Sequence, residues 1–398
     1  MANTLNLGNG NWATKEDSLL AYNSENGNFK PLPFDFTRAS SATVVNKAGL
    51  IETVGSGEPR IDFKDDTKGA LLLEPSRSNL ITYSEDFSQS SWAKTSASIT
   101  INSIISPDGS LNASKITEDS TLNNHRISVN GLIGSGTHTI TVFAKANDRN
   151  WLLIRNAANN AWFDVSNGVV GTVQSGTGSI ENYGNGWYRC SVTMLSLSTP
   201  AIGISDNNDS YSYQGNGTGS LYIFGAQVEQ GSYATSYIPT SGSAVTRVAD
   251  VCNNGGNEQV INSTEGTIFI DFKFNSAGAI VGINRSFQNM IQIGLTASNG
   301  LRCLIYNSGT NITINSSFNL IKNTNYKVAI NYKSLNSKMF INGALDVTNT
   351  SALSFNAPLE KLEINANYFF NSSSLETKGL AVYNTALTDQ ELINLTTL

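Results

Sequence analysis

Thr267-Ile268-Phe269-Ile270-Asp271-Phe272-Lys273-Phe274 places Ile268, Ile270, Phe272 and Phe274 at every second position. Only an extended chain turns such a set to one side, because successive side chains of a strand point to opposite faces. The pattern recurs downstream in Tyr326-Lys327-Val328-Ala329-Ile330-Asn331-Tyr332 and in Lys338-Met339-Phe340-Ile341. The latter runs into Asn342-Gly343, a pair that favours the positive φ angles of a two-residue hairpin. Upstream it recurs in Thr139-Ile140-Thr141-Val142-Phe143-Ala144, Trp151-Leu152-Leu153-Ile154, Trp187-Tyr188-Arg189-Cys190-Ser191-Val192 and Leu221-Tyr222-Ile223-Phe224. Clusters of Gly, Asn, Ser and Asp separate these runs, so the reading is an all-β chain of short antiparallel strands arranged as sandwiches. One helix is expected at the end, where Thr388 and Glu391 form a capping box ahead of Leu392, Ile393 and Leu395.

The division of the chain follows from breaks in this pattern. A Ser/Thr/Gly-rich passage over 231–250 gives way to Asn253-Asn254-Gly255-Gly256, and the strands then restart. Two antiparallel jelly-roll sandwiches are expected, over 71–250 and 251–398. Residues 1–70 differ: Pro31, Pro33 and Pro59 interrupt them, and few runs of either period appear. They read as an extended anchoring or oligomerisation segment, whose backbone groups need pairing from another surface. The alternative is an irregular cap over the first sandwich.

Composition narrows the function. Of 398 residues only 14% are charged, so the polar surface is mainly amide and hydroxyl, groups that exchange hydrogen bonds with water or sugar hydroxyls. The net charge of -6 and the lack of any Lys/Arg cluster argue against nucleic acid as a partner. No apolar run is long enough to span a bilayer, and residues 1–11 lack a signal-peptide pattern, so no membrane insertion and synthesis in a cytoplasm are expected. Cys190, Cys252 and Cys303 are odd in number and widely spaced, which suits free thiols rather than a disulfide framework or zinc site. His125 and His138 fall in strand-like segments and read as sheet residues.

Several motifs in one order carry a resemblance. Phe34-Asp-Phe-Thr-Arg-Ala-Ser-Ser-Ala-Thr43, Gly49-Leu-Ile51, Glu58-Pro-Arg-Ile-Asp-Phe63 and Leu71-Leu-Leu-Glu-Pro-Ser-Arg-Ser-Asn-Leu80 are followed by Tyr83-Ser-Glu-Asp-Phe87 with Trp92. Then come Gly186-Trp-Tyr-Arg189, Phe224-Gly-Ala-Gln-Val-Glu-Gln-Gly231 and Tyr237-Ile-Pro-Thr240. Together they resemble bacteriophage head-spike and tail-fibre proteins over roughly the first 250 residues. The portion from Ser263, with Val328-Ala-Ile-Asn-Tyr332, Phe340-Ile-Asn-Gly343 and the closing Ala381 to Leu392, is similar to laminin-G or concanavalin-like jelly rolls.

The resemblance implies a virion-surface component assembled in a bacterial host. It would contact capsid or tail proteins through its first segment, form a homo-oligomer, often a trimer, and touch surface glycans. The first sandwich would be of the carbohydrate-binding-module kind. The short length and the lack of a heptad or β-helical shaft favour a head fibre over a tail fibre. A tail receptor-binding protein or a polysaccharide depolymerase is the alternative.

Sugar binding needs an exposed aromatic face with amides or carboxylates beside it. Trp151, Trp162, Tyr211 and Tyr213 lie in or beside loops containing Asn156, Asn159, Asn160, Asp206 and Asn208; the four rings and Asn156 are the glycan-binding candidates, with core packing as the alternative for each ring. Trp187 reads as a packed corner. Asp206 and Asp209 offer oxygen ligands for calcium, or a solvated turn. No catalytic set is evident: Glu360 with Glu363 and Asp65 with Asp66 read as surface carboxylates, and Gly215-Asn-Gly-Thr-Gly219 precedes a strand rather than a helix, unlike a phosphate loop. No cofactor is expected.

Overall fold

The computed structural model describes residues 3–28, 33–307, 310–365 and 368–398. The expected strands form: Thr267 to Phe274 lies in Glu265–Phe274, which pairs with Tyr326–Lys333 and Leu375–Tyr383. Asn342 and Gly343 take φ of 48° and 82° between Ser337–Ile341 and Ala344–Asn349, as the hairpin requires. Among the described residues the helix is Asp389–Thr396; Glu391 N donates to Thr388 Oγ1 and Thr388 N to Glu391 Oε2 at 2.8 Å. The protein is all-β with sandwich-like antiparallel sheets.

The chain forms two compact units. The first joins Met1–Lys47, Val54–Ser76 and Val248–Leu398; the second joins Ala48–Thr53 and Arg77–Arg247. The expected segmentation of the first 70 residues is thereby corrected, since they supply strands to the same unit as the carboxy-terminal part. Leu5–Gly8 pairs with Leu375–Tyr383, and Ala70–Leu73 pairs with that strand too. Phe34–Thr37 pairs with Val251–Gly255. An extended arm was expected to need pairing from elsewhere, and this surface of the same chain provides it. Of the Pro31-to-Phe36 stretch read as extended, Pro31 and Leu32 lie outside the described residues.

An eight-stranded and a nine-stranded sheet contribute side chains to the first unit's core, where Leu5, Leu7, Phe34, Phe36, Leu71 and Leu73 pack with Ile268, Ile270, Ile283 and Ile293. Each such residue contributes about 1.5–3 kcal/mol on burial, so the amino-terminal strands are part of that core. Arg38, Arg60, Glu74 and Asp250 form a buried charge network within the unit: Arg38 Nη1 reaches Asp250 at 3.0 Å, Arg60 Nη1 reaches Glu74 at 2.8 Å, and Arg60 Nη2 also meets Asp250. Glu74 N donates to Asp250 Oδ2 at 2.9 Å.

Two six-stranded sheets enclose the second unit's core. One runs Trp92–Thr95, His125–Val129, Pro200–Ser205, Trp151–Asn156, Asn159–Asp164 and Val169–Val173. The other contains Ile133–Ala146, Trp187–Ser198 and Ser220–Gln230. Trp187 is the packed corner expected, buried with Nε1 donating to Ile105 O at 3.1 Å. The three cysteines are free and buried, and His125 and His138 are buried sheet residues.

Candidate functional site

The first six-stranded sheet of the second unit has one face in the core and one turned away. Leu152, Ile154, Ile202, Ile204, Ile127 and Phe163 pack inward. By alternation, Trp151, Leu153, Arg155, Arg126, Ala201, Gly203, Asn160 and Trp162 turn outward. Register aligns them: Leu153 lies opposite Gly203 and Trp162, Arg155 opposite Ala201 and Asn160.

The segment 206–212 is fastened to this outward face. Ser205 Oγ donates to Asn207 O and Ser210 O, and Trp162 Nε1 donates to Ser210 O at 3.4 Å. Across the sheet, Asn208 Oδ1 accepts from Thr172 N at 2.8 Å. Trp162 and Leu153 are consequently 0% and 1% exposed although they face away from the main core. Gly171 makes room for this seam: a Cβ there would lie 2.4 Å from Asn208 Oδ1 and 2.6 Å from Trp151 Cζ3.

Beside the seam stand two arginines. Arg126 is opposite Gly203 and Arg155 is opposite Ala201, so they flank the strand Pro200–Ser205 from its two sides. At the two outward positions between them the only side chain is the Ala201 methyl. Arg155 Cζ lies 4.3 Å from the Tyr211 ring centroid, within cation–π range, and Nη1 donates to Asn160 Oδ1 at 2.9 Å. Arg126 Nε donates to Asn124 Oδ1 at 2.7 Å. Burial lowers the Arg155 pKa, Tyr211 opposes the shift, and Arg126 adds to it; the guanidinium still stays charged at neutral pH. Among the described residues neither arginine has a carboxylate in an ion pair, and both are partly buried. Two planar cations over a small-residue floor, with Tyr211 stacked on one of them, can take a carboxylate or sulfate in bidentate fashion while an apolar ring face rests beside Tyr211.

The structure therefore brings together three of the rings singled out from the sequence, and of these Trp151 and Tyr211 remain partly exposed while Trp162 is buried. Tyr213 lies apart from them, its hydroxyl donating to Glu118 at 2.6 Å and its ring centroid 4.7 Å from that of His125. Asn156 is buried at a hairpin, Nδ2 donating to Ser196 O and Oδ1 accepting from Ser198 N. Those two side chains serve the fold. Asp206 and Asp209 are exposed; Asp209 accepts from Gln174 at 3.4 Å, and among the described residues no three His, Cys, Asp or Glu side chains gather as metal ligands. Arg126 and Arg155 escaped the sequence reading. Their signal was an arginine inside an otherwise apolar strand, Trp151-Leu152-Leu153-Ile154-Arg155, in a chain poor in charge.

The carboxylate pairs considered for catalysis sit in ion pairs with lysine or arginine. Asp65 meets Lys273, Asp66 meets Lys378 at 3.2 Å, Glu360 meets Arg285 at 3.4 Å and Glu363 lies 4.0 Å from Lys361.

No family model matches the sequence, and no curated protein matches it. Solved structures similar to parts of the chain include CBM40 of the Ruminococcus gnavus IT-sialidase bound to α2,3-sialyllactose, with 18% identity over 37% of this chain and 94% of that one and a TM-score of 0.32. Domain 4 of the GH43 extracellular arabinanase AbnA of Geobacillus stearothermophilus, in complex with arabinotriose, has 13% identity over 42% of this chain and 83% of that one, TM-score 0.31. The heptameric SAP-like pentraxin of Limulus polyphemus has 15% identity over 33% and 69%, TM-score 0.27.

Proposed function

We propose that this protein is a non-catalytic display protein of a bacteriophage particle, a head fibre assembled as a homo-oligomer, that binds acidic glycans through the outward face of its second unit. The observation that carries the ligand is the pair Arg126 and Arg155, without a carboxylate partner among the described residues, with Tyr211 stacked on the second guanidinium. A buried or half-buried cation without a counter-ion is costly unless a ligand supplies one. The particle assignment is supported by the ordered motifs between Phe34 and Thr240. Attachment to the particle runs through the first unit, which holds the amino-terminal strands.

Isothermal titration of the full chain with sialyllactose, oligogalacturonate and a sulfated oligosaccharide tests the ligand. At least one should bind, and Arg126→Ala and Arg155→Ala should each weaken it tenfold or more. No binding by any of the three at millimolar concentration overturns the acidic-glycan reading. New reducing ends released from the polymers overturn the non-catalytic part, and absence of the chain from purified virions overturns the particle assignment.

A further inference from the structure

The nine-stranded sheet of the first unit ends on Thr310–Asn319, which pairs with Gly300–Asn307 on one side only. From Thr310 to Asn315 the register runs without a shift, Thr310 opposite Asn307 and Asn315 opposite Arg302. An outermost antiparallel strand directs every second N–H and C=O away from its neighbour. Among the described residues no hydrogen bond joins the backbone of 310–315 to any further segment.

Sheets guard an open edge with charge, brevity or a bulge. The strands at the other ends of the first unit's two large sheets are guarded in this way: Ala13–Lys15 is three residues long and carries Lys15, Ile61–Asp62 is two residues long, and Ala344–Asn349 carries Asp346. Thr310–Asn319 is ten residues long and has no charged side chain. Asp346 accepts from Ser317 N at 3.1 Å, past the regular stretch, and so leaves 310–315 open. Within that stretch Ile312 and Ile314 pack toward the core, while Asn311, Thr313 and Asn315 are exposed on the other face.

Asn311-Ile312-Thr313-Ile314-Asn315 reads the same in both directions, and this determines what fits the edge. Two copies lying antiparallel about Thr313 set Thr313 opposite Thr313, Ile312 opposite Ile314 and Asn311 opposite Asn315. Threonine and β-branched pairs are favourable across antiparallel strands, and opposed amides can bond to each other. This register also keeps Ile312 and Ile314 of both copies on one side of the joined sheet, where both cores need them; a one-residue slip would turn one copy over. With no charge on the strand, the copies meet without repulsion along it. We propose that Thr310–Asn315 is the contact between two copies of this chain, joining their nine-stranded sheets edge to edge across a two-fold axis. The proposal rests on the homo-oligomer part of the function proposed above and names its surface. Each copy spends one edge, so the contact closes at two and builds assemblies with an even number of chains.

The test is light scattering of the full chain during size-exclusion chromatography at micromolar concentration, which should give an even number of copies. Thr313→Lys sets two ammonium groups opposite each other on the axis and should weaken association about tenfold or more, like charges directly opposite being unfavourable. Its thermal melt should show it folded, since Thr313 is exposed. Thr313→Cys should be linked to a second copy of itself by a short bismaleimide, the three native thiols being buried. Thr348→Cys, exposed on the guarded strand Ala344–Asn349, should not. Association unchanged by Thr313→Lys, no link between two Thr313→Cys chains, or an odd number of copies overturns this edge and leaves the homo-oligomer standing. A chain that stays single overturns both.

Discussion

Arg38 Nη1 and Asp250 Oδ1 lie 3.0 Å apart with both side chains fully buried, although 212 positions separate them in the chain. Arg60 shares the same carboxylate. Removing it leaves two buried guanidinium groups short of their counter-ion, a loss of about 3–5 kcal/mol. Asp250→Ala should therefore lower the denaturation midpoint of the first unit and spare the second. Trp12 is the first unit's sole tryptophan, so Trp12-only and Trp12-free variants report the two transitions separately by fluorescence in urea.

Glu118 gives a pH dependence of known sign. Burial pushes its carboxyl up, but hydrogen bonds from Arg149, Tyr213 and Asn216 N outweigh that and hold it below the ordinary value. A depressed carboxyl contributes stability that is complete above the unfolded value of about 4.3 and is lost as pH falls through the lower folded value. The melting temperature of the second unit should fall over that acid range. Glu118→Gln should be less stable at neutral pH and show a flatter acid profile.

Arg155 should not be replaceable by lysine. The guanidinium stacks on Tyr211 and reaches Asn160 at once, a combination that an ammonium cannot reproduce. Arg155→Lys should lose most of the acidic-glycan affinity that Arg155→Ala loses, and the remaining affinity should fall more steeply with salt.

Gly171→Ala tests the seam. Its Cβ would meet both Asn208 Oδ1 and the Trp151 ring, so these side chains must move and the Asn208–Thr172 hydrogen bond is disturbed, at about 1–3 kcal/mol. Expected results are a change in Trp151 emission and weaker acidic-glycan binding.

Local rules made much of the fold legible. Thr388 with Glu391 and Asn342 with Gly343 act within a few residues, and alternation depends only on the strand itself. Leu5–Gly8 was illegible because it is four residues long and its partner strand begins 367 positions beyond its end, at Leu375. The site was legible in part. Trp151 and Trp162 share one outward face, yet a distant segment buries the second and leaves the first partly open, which no spacing within the strands announces. Arg126 and Arg155 meet only through the intervening strand Pro200–Ser205, so their pairing is a property of the sheet order.

The pairing of Leu5–Gly8 with Leu375–Tyr383 also sets an order of events during synthesis. The first strand leaves the ribosome long before its partner, a wait on the order of tens of seconds at about 5–20 residues per second. Most of the second unit, Arg77–Arg247, is contiguous and can close during that wait, whereas the first unit keeps unpaired edges until its last strand emerges. A ribosome stalled before Leu375 would thus release a chain with one finished unit and one open sheet ready to pair with another copy.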